Sequence, residues 1–458
     1  MSTIVRMRGL LASSIGVTCA AALTLPLTLP TAAHAAKPAA QESAVPGTTQ
    51  SLPLTPLATP GDSTRSAAPQ QQRQEQGLPR RDVRPFSLVG VVWDNPNAQL
   101  HGQVQVRTRT TGTSTWSTWQ DVETHSDDAP DPDTAEHTSS TVRGATAPLW
   151  VGDSDGVEVR VKAEAPPAGS RAADPGAEPL PRGLRLELVD PGAEPAAGAE
   201  ADSPRATISA ETAAASAVNA DLAPLGAAAI PALTKKETED ELISARGGDA
   251  DATKARPYVG PRPRIITRKG WGADEKLRER QFGYTKTVKA AFVHHSASGN
   301  NYRCSQAPSV IRSIYRYHVK SSGWRDIGYN FLVDKCGNIY EGRAGGVTKP
   351  VMGAHTLGFN TNSTGIAVLG TFGSSNPPAA AVNAIARLTA WKLGLYGANP
   401  RGTTYLKSGG GNLYKKGKNV RLKVISGHRD GFATECPGRR LYKKLGTARS
   451  SSARLQGR

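Results

Sequence analysis

The chain has 458 residues, 38% of them hydrophobic, and a formal net charge of +17 at pH 7, enough length for two domains with linkers. Residues 261–458 carry 34 Lys and Arg against 8 Asp and Glu, a net +26, whereas residues 1–260 carry 22 against 31. A basic C-terminal half points to an anionic partner. Its lysines cluster without interleaved aromatics in a nucleic-acid motif, so nucleic acid is not expected as that partner.

The N-terminus reads MSTIVRMRG, two arginines and no acid, followed by an apolar run from Leu10 to about Leu29 and the A-x-A pattern Ala33-His34-Ala35. This is a secretory signal peptide, expected over residues 1–36, and Cys19 leaves with it. Pro26 and Pro30 break the run and no basic stop-transfer cluster follows, so no stable membrane insertion is expected after cleavage. The mature chain is expected to be secreted, extracellular and associated with the cell wall, itself an anionic surface.

Residues 37–80 are rich in Pro, Gln, Ala and Ser and are expected to form a disordered spacer. Over 81–192 the runs FSLVGVVW, QVQVRTR, WSTWQDV, GVEVRV and LRLELV alternate apolar with polar residues between turn formers. This predicts a small all-β, sandwich-like accessory domain. Trp116 and Trp119 are three apart, so on a straight strand they face opposite sides and at least one belongs to the core. Asp153 and Asp155 in GDSDG fit a hairpin turn. Residues 193–260, rich in Ala, Gly and acids, read as a linker with a transient helix near Lys235–Arg246.

Regular patterning resumes at residue 261. KAAFVHHSA is a buried strand, and APSVIRSIYRYHVKSSG places Val310, Ile311, Ile314, Tyr315 and His318 on one helical face. GYNFLVDKCGNIYEG is a hairpin turning at Cys336-Gly337-Asn338, TGIAVLGTF a second buried strand, and PPAAAVNAIARLTAWKLGL a second helix starting at proline. That order predicts an α/β domain with a mixed sheet flanked by helices over 261–446, followed by a basic tail at 447–458.

Three cysteines survive export, an odd number for an oxidising compartment. Cys304 follows the first strand and Cys336 sits at the hairpin tip; a bridge between them would close a loop of about thirty residues, stabilising by about 3 kcal/mol. Cys436 is then left over. Zinc would occupy its sulfur, with His428 eight residues away and one of His294 and His295 as third ligand, since neighbouring strand residues point to opposite faces. A His/His/Cys set leaves one coordination position open, which is a catalytic rather than a structural arrangement.

In order after TRKGWGAD come FVHHSA, GWRDIGYNFLVDKCGNIYEGR, GAHTLGFNTNSTGIAVLGTF and GHRDGFATECPG. Together, over residues 262–445, they resemble the peptidoglycan recognition proteins, the type 2 N-acetylmuramoyl-L-alanine amidases. The resemblance implies a mixed sheet flanked by helices and hydrolysis of the amide between N-acetylmuramic acid and L-alanine of the stem peptide, with Zn2+ as cofactor and peptidoglycan as partner. By motif it implies His294, His428 and Cys436 as zinc ligands and Tyr329 as the catalytic tyrosine. Thr434 stands where some relatives carry a lysine and is a further candidate donor. His355 is expected to contact sugar or peptide, and His295 and His318 to lie in the core. Asp430 is a candidate for orienting a ligand. Relatives that only bind the wall tend to lose the cysteine ligand; a non-catalytic binding module is the alternative that Cys436 argues against. The chain is expected to act as a monomer. Residues 403–424 depart from the pattern and read as an inserted hairpin with a Gly-rich turn.

Overall fold

The computed structural model describes residues 47–57, 75–124, 128–164, 179–193, 208–245 and 257–458. The expected signal peptide lies outside them. The first part is all β: β1 (Thr48–Pro53), β2 (Thr55–Pro56), β3 (Glu75–Trp93), β4 (Gly102–Thr110), β5 (Gln120–Val122), β6 (Gly144–Ala145), β7 (Leu149–Ala163) and β8 (Arg185–Asp190). These form one sheet in the order β1-β8-β3-β7-β4-β5. β3 and β7 are long, and their register shifts between Asp82 and Leu88. The first half of β3 pairs with the second half of β7, while its second half pairs with β8. Bulges let one strand serve two layers, and both layers close on a single core that includes Val89, Val91, Val104, Val106, Val159, Leu186 and Leu188.

Several expectations are corrected here. β1 and β2 fall inside the expected spacer: Thr48 to Pro53 pair residue for residue with β8. Trp116 and Trp119 do not face opposite sides. The segment preceding β5 is turned rather than straight, and both rings are half-exposed in one ladder with arginines. Arg80 and Arg107 lie over Trp116, and Arg107 and Arg160 over Trp119, at 4.3–5.9 Å. GDSDG is no hairpin turn but part of β7, where Asp155 binds Arg109 and the Gly112 N–H, and Asp153 accepts from Ser87.

The second part begins with α1 (Ala210–Ala217), β9 (Ala229–Ile230) and α2 (Lys235–Ala245), all inside the expected linker. They fold because Ile230 and Ala223 are apolar enough to join the main core and β9 pairs with a later strand. Then follow β10 (Ile265–Ile266), α3 (Arg268–Trp271), β11 (Ala290–His295), α4 (Ala307–Arg316, continued by a π turn to Ser321), β12 (Phe331–Val333), β13 (Ile339–Glu341), β14 (Ser363–Val368), α5 (Ala379–Gly394), β15 (Thr403–Lys407), β16 (Asn419–Lys423), β17 (Ile425–Gly427), α6 (Arg439–Tyr442) and α7 (Leu445–Gln456). The expected basic tail is thus mostly helix α7, whose Leu445 and Ala448 are buried.

The sheet runs β17-β11-β14-β12-β13-β10-β9, parallel across its first four strands and mixed beyond. Strands buried on both faces explain their nearly continuous apolar runs. One face packs on α5 and α7. The other packs on α4, and there the core does not stop at the domain: Val310, Ile311 and Ile314 share one cluster with Leu88, Val92, Trp150 and Val189 of the all-β part. Tyr317 donates its hydroxyl to Thr146 O at 3.1 Å, and a Cβ on Gly90 would lie 2.3 Å from that hydroxyl. The inserted segment is the hairpin β15–β16. No helix among the described residues is long and apolar enough to cross a membrane.

Candidate metal centre and active site

Strand alternation in β11 sends Ala291 and Val293 towards α5 and leaves Phe292 and His294 on the other face. β17 lies parallel beside β11, so the 3-10 turn His428–Asp430 that follows it delivers His428 next to His294, ring centroids 4.5 Å apart. Asp430 fixes that turn: it accepts the Gly427 N–H at 2.9 Å and the Tyr442 hydroxyl at 2.6 Å. Farther along, Thr434 Oγ1 accepts the Cys436 N–H at 3.2 Å, and Cys436 Sγ comes within 3.7 Å of His294 Nδ1.

His294, His428 and Cys436 place one ligand atom each within 4.8 Å of one another. Behind His294, its Nε2 meets Thr356 Oγ1 at 3.3 Å, the kind of contact that fixes a metal-bound imidazole's tautomer. Burial pushes His294 down to about 3 and His428 well below its ordinary value, so both rings are neutral and keep a lone pair to donate. Burial pushes the Cys436 thiol up; only a cation in contact with the sulfur would favour its thiolate there. Both ring nitrogens of His428 are buried without a hydrogen-bond partner. Two imidazole nitrogens and a sulfur converging on one point fit a divalent soft-tolerant ion such as zinc.

The remaining expected residues fall in different places. Tyr329 is buried, its ring 5.6 Å from that of His294. Its pKa is pushed well above the ordinary tyrosine value, first by burial and then by an adjacent carboxylate. His355, expected to contact sugar or peptide, is fully buried behind His294, with Nδ1 3.0 Å from Thr356 Oγ1 and Nε2 3.5 Å from Ser363 Oγ. Its surroundings are closed by Gly353 and Gly365, where a Cβ would lie 2.4 and 2.3 Å from the ring. His295 points away from the cluster, accepting the Phe372 N–H and meeting Glu123 Oε1 at 3.1 Å. His318 is core, stacked on Trp324. Cys304 and Cys336 are joined in a disulfide.

One residue at this centre was not among the sequence candidates. Asp128, from the all-β part, places Oδ1 3.0 Å from His294 Nδ1 and 3.4 Å from His428 Nδ1. Its Oδ2 accepts the Tyr329 hydroxyl at 2.6 Å. Burial pushes this carboxyl up to about 6, against the pull of His428 and Tyr329. Its neighbours spell DAPDPDTAEH, residues 128–137, which reads in sequence as an ordinary acidic loop. The only signal was the opposite charge of the two halves of the chain.

Comparison with known proteins places these features. Residues 36–181 match the family described as Rv3811 N-terminal galactose-binding domain-like, and residues 284–439 match N-acetylmuramoyl-L-alanine amidase. Peptidoglycan-recognition protein SC2 of Drosophila melanogaster is 30% identical over 185 residues, which is 40% of this chain and 85% of that protein. The chain belongs to the peptidoglycan recognition protein family. Peptidoglycan-recognition protein 1 of Holotrichia diomphalia is 32% identical over 43% of this chain and 85% of its own length. Among solved structures, that of wild-type Drosophila PGRP-LB is 26% identical, with a TM-score of 0.32, over 40% of this chain and 92% of that one. The family relation thus covers the mixed-sheet part. The all-β part, with its Asp128, lies within the match to the galactose-binding-like family.

Proposed function

We propose that this chain is an exported zinc-dependent peptidoglycan hydrolase that cleaves the amide between N-acetylmuramic acid and L-alanine of the stem peptide. The observation that carries this reading is the convergence of His294, His428 and Cys436: three neutral or thiolate ligands leave a fourth position for the reacting atom. Zinc held there would polarise the scissile carbonyl and bring a water's pKa to about 7. Thr356 holds the His294 ring, and Asp430 holds the turn that carries His428. Tyr329 keeps its proton, since burial raises its acidity threshold, so it acts as a hydrogen-bond donor to the developing oxyanion and not as a base. Thr434, at the rim of the ligand turn, steadies Cys436 and offers a second hydroxyl. A module that merely binds the wall has no use for a buried thiol between two imidazoles.

The test is prolonged digestion of purified walls by the mature chain, with mass spectrometry of soluble fragments and metal analysis of the protein. Free stem peptides beginning at L-alanine are expected from a chain holding about one zinc. The Cys436→Ser variant should lose both the zinc and the fragments. A Cys436→Ser chain that releases stem peptides at the parent rate would refute the metal reading.

A further inference from the structure

A hydrolase of a polymer needs its reacting position open, and this one is closed. His294 and His428 are 0% exposed, Cys436 1% and Tyr329 2%. What closes the site is not the mixed-sheet domain but a segment of the other one. In a tetrahedral zinc site with ligand bonds of about 2.0–2.1 Å, neighbouring ligand atoms stand roughly 3.3 Å apart. Asp128 Oδ1, at 3.0 and 3.4 Å from the two imidazole nitrogens, keeps that spacing to both histidines. Its other oxygen occupies the Tyr329 hydroxyl, the donor assigned to the oxyanion.

The chain after Asp128 is fastened down. Ala129 O accepts Asn360 Nδ2 at 2.9 Å, and Asp131 Oδ1 accepts the same Nδ2 at 2.7 Å and the Gly358 N–H at 2.8 Å. Glu136 forms a two-pronged buried ion pair with Arg343. Beyond it, Val142 packs on Trp324 and Ala354 with Ala129 alongside. A loop touching by chance would not bury two carboxylates against matched donors, because unpaired they would be costly.

We propose that the accessory domain latches the amidase shut: Asp128 supplies the fourth metal ligand and the segment from Asp128 to Glu136 covers the substrate's ground, so the folded chain is a latent hydrolase. The inference rests on the zinc reading above for the identity of the site. Withdrawal of the segment frees the fourth position and the Tyr329 hydroxyl together.

The test uses the whole mature chain loaded with cobalt(II), whose visible absorption reports coordination, and acetohydroxamate as a probe of an open metal position. In the parent chain the probe should leave the spectrum unchanged. In Asp128→Ala it should change it, with apparent affinity raised on the order of 10–1000-fold, the inverse of a minor open state's population. Glu136→Gln, which loosens the segment without touching the cluster, should give a smaller rise in the same direction. Equal response of the parent and Asp128→Ala to the probe overturns the latch. So does an Asp128→Ala chain that keeps its zinc and its probe binding yet digests walls more slowly than the parent, for then Asp128 serves the reaction. If the probe enters Asp128→Ala and neither chain ever releases stem peptides, the latch stands and the amidase reading falls.

Discussion

Replacing Glu136 by Gln should cost the whole chain about 3–4 kcal/mol at pH 7. The carboxylate is joined to Arg343 by two hydrogen bonds of 2.8 Å and accepts the Arg325 N–H at 3.0 Å. Both side chains are under a tenth exposed, so solvent screens little. Hydrogen bonds to charged groups are worth about 1.5–3 kcal/mol each, and removing one partner of a buried pair typically costs about 3–5. Gln retains the shape and one acceptor oxygen, loses the charge, and sets an amide N–H against a guanidinium donor. Urea denaturation followed by tryptophan fluorescence measures the loss, and the cycle with Arg343→Met should return a coupling of roughly 1.5–3 kcal/mol. Acidity gives a second handle. Burial pushes the Glu136 carboxyl up, but the charge and hydrogen bonds of Arg343 more than reverse it and leave it below its ordinary value. Its contribution is therefore complete above the unfolded carboxylate range and disappears as pH falls through the lower folded value, so parent and variant should converge in acid. A loss under about 1 kcal/mol at pH 7, or a coupling near zero, would mean that the apolar core alone holds the two domains and that the ion pair is incidental.

Two further outcomes follow from the site and its surroundings. In the unlatched Asp128→Ala background, Tyr329→Phe should lower kcat about 10²–10³-fold with little change in KM; steady-state kinetics showing a fall under about threefold would assign the hydroxyl to packing. Glu341 is buried, and desolvation raises its carboxyl to about 7 despite the Asn219 and Arg268 contacts. A raised folded value means its favourable contribution is full below about 4.5 and lost as pH rises through about 7, a swing on the order of 3 kcal/mol. Denaturation midpoints of Glu341→Gln against pH should lack that slope; an unchanged slope would move its origin elsewhere.

The cluster was legible because its chemistry is concentrated in residue types with few other uses. A leftover thiol, two histidines ending a buried strand and a third before it in sequence order leave little choice once one strand face is counted. The mixed sheet was legible for the same reason: β11 and β14 are continuous apolar runs. The sequence does not separate two roles for His355, because a histidine in a motif looks the same whether it meets substrate or stands behind a ligand; its two ring contacts come from Thr356 and Ser363, and only the fold sets the second. Trp116 and Trp119 misled because period-two counting assumes a straight strand, and a turn before β5 breaks it. Inside the expected linker the helix near Lys235–Arg246 was legible and appears as α2, whereas α1 and β9 were hidden by composition: alanine and acid are poor in apolar signal, and β9 is held by its pairing with β10 rather than by its own propensity. Asp128 was the least legible, since its meaning depends on residues more than 160 positions away.

Helix α4 lies between two sheets, with Tyr317 seated over Gly90. Inheritance is constrained by that fit. Any side chain at position 90 collides with the tyrosine ring, so the two halves of the gene cannot drift apart at these positions or be recombined with foreign partners at random. A lineage that discarded the all-β half would first have to repaint the outward flank of α4 with polar residues, or carry an adhesive stripe into solvent. The mixed-sheet half of this chain is fitted to its companion along that flank as well as at Asp128.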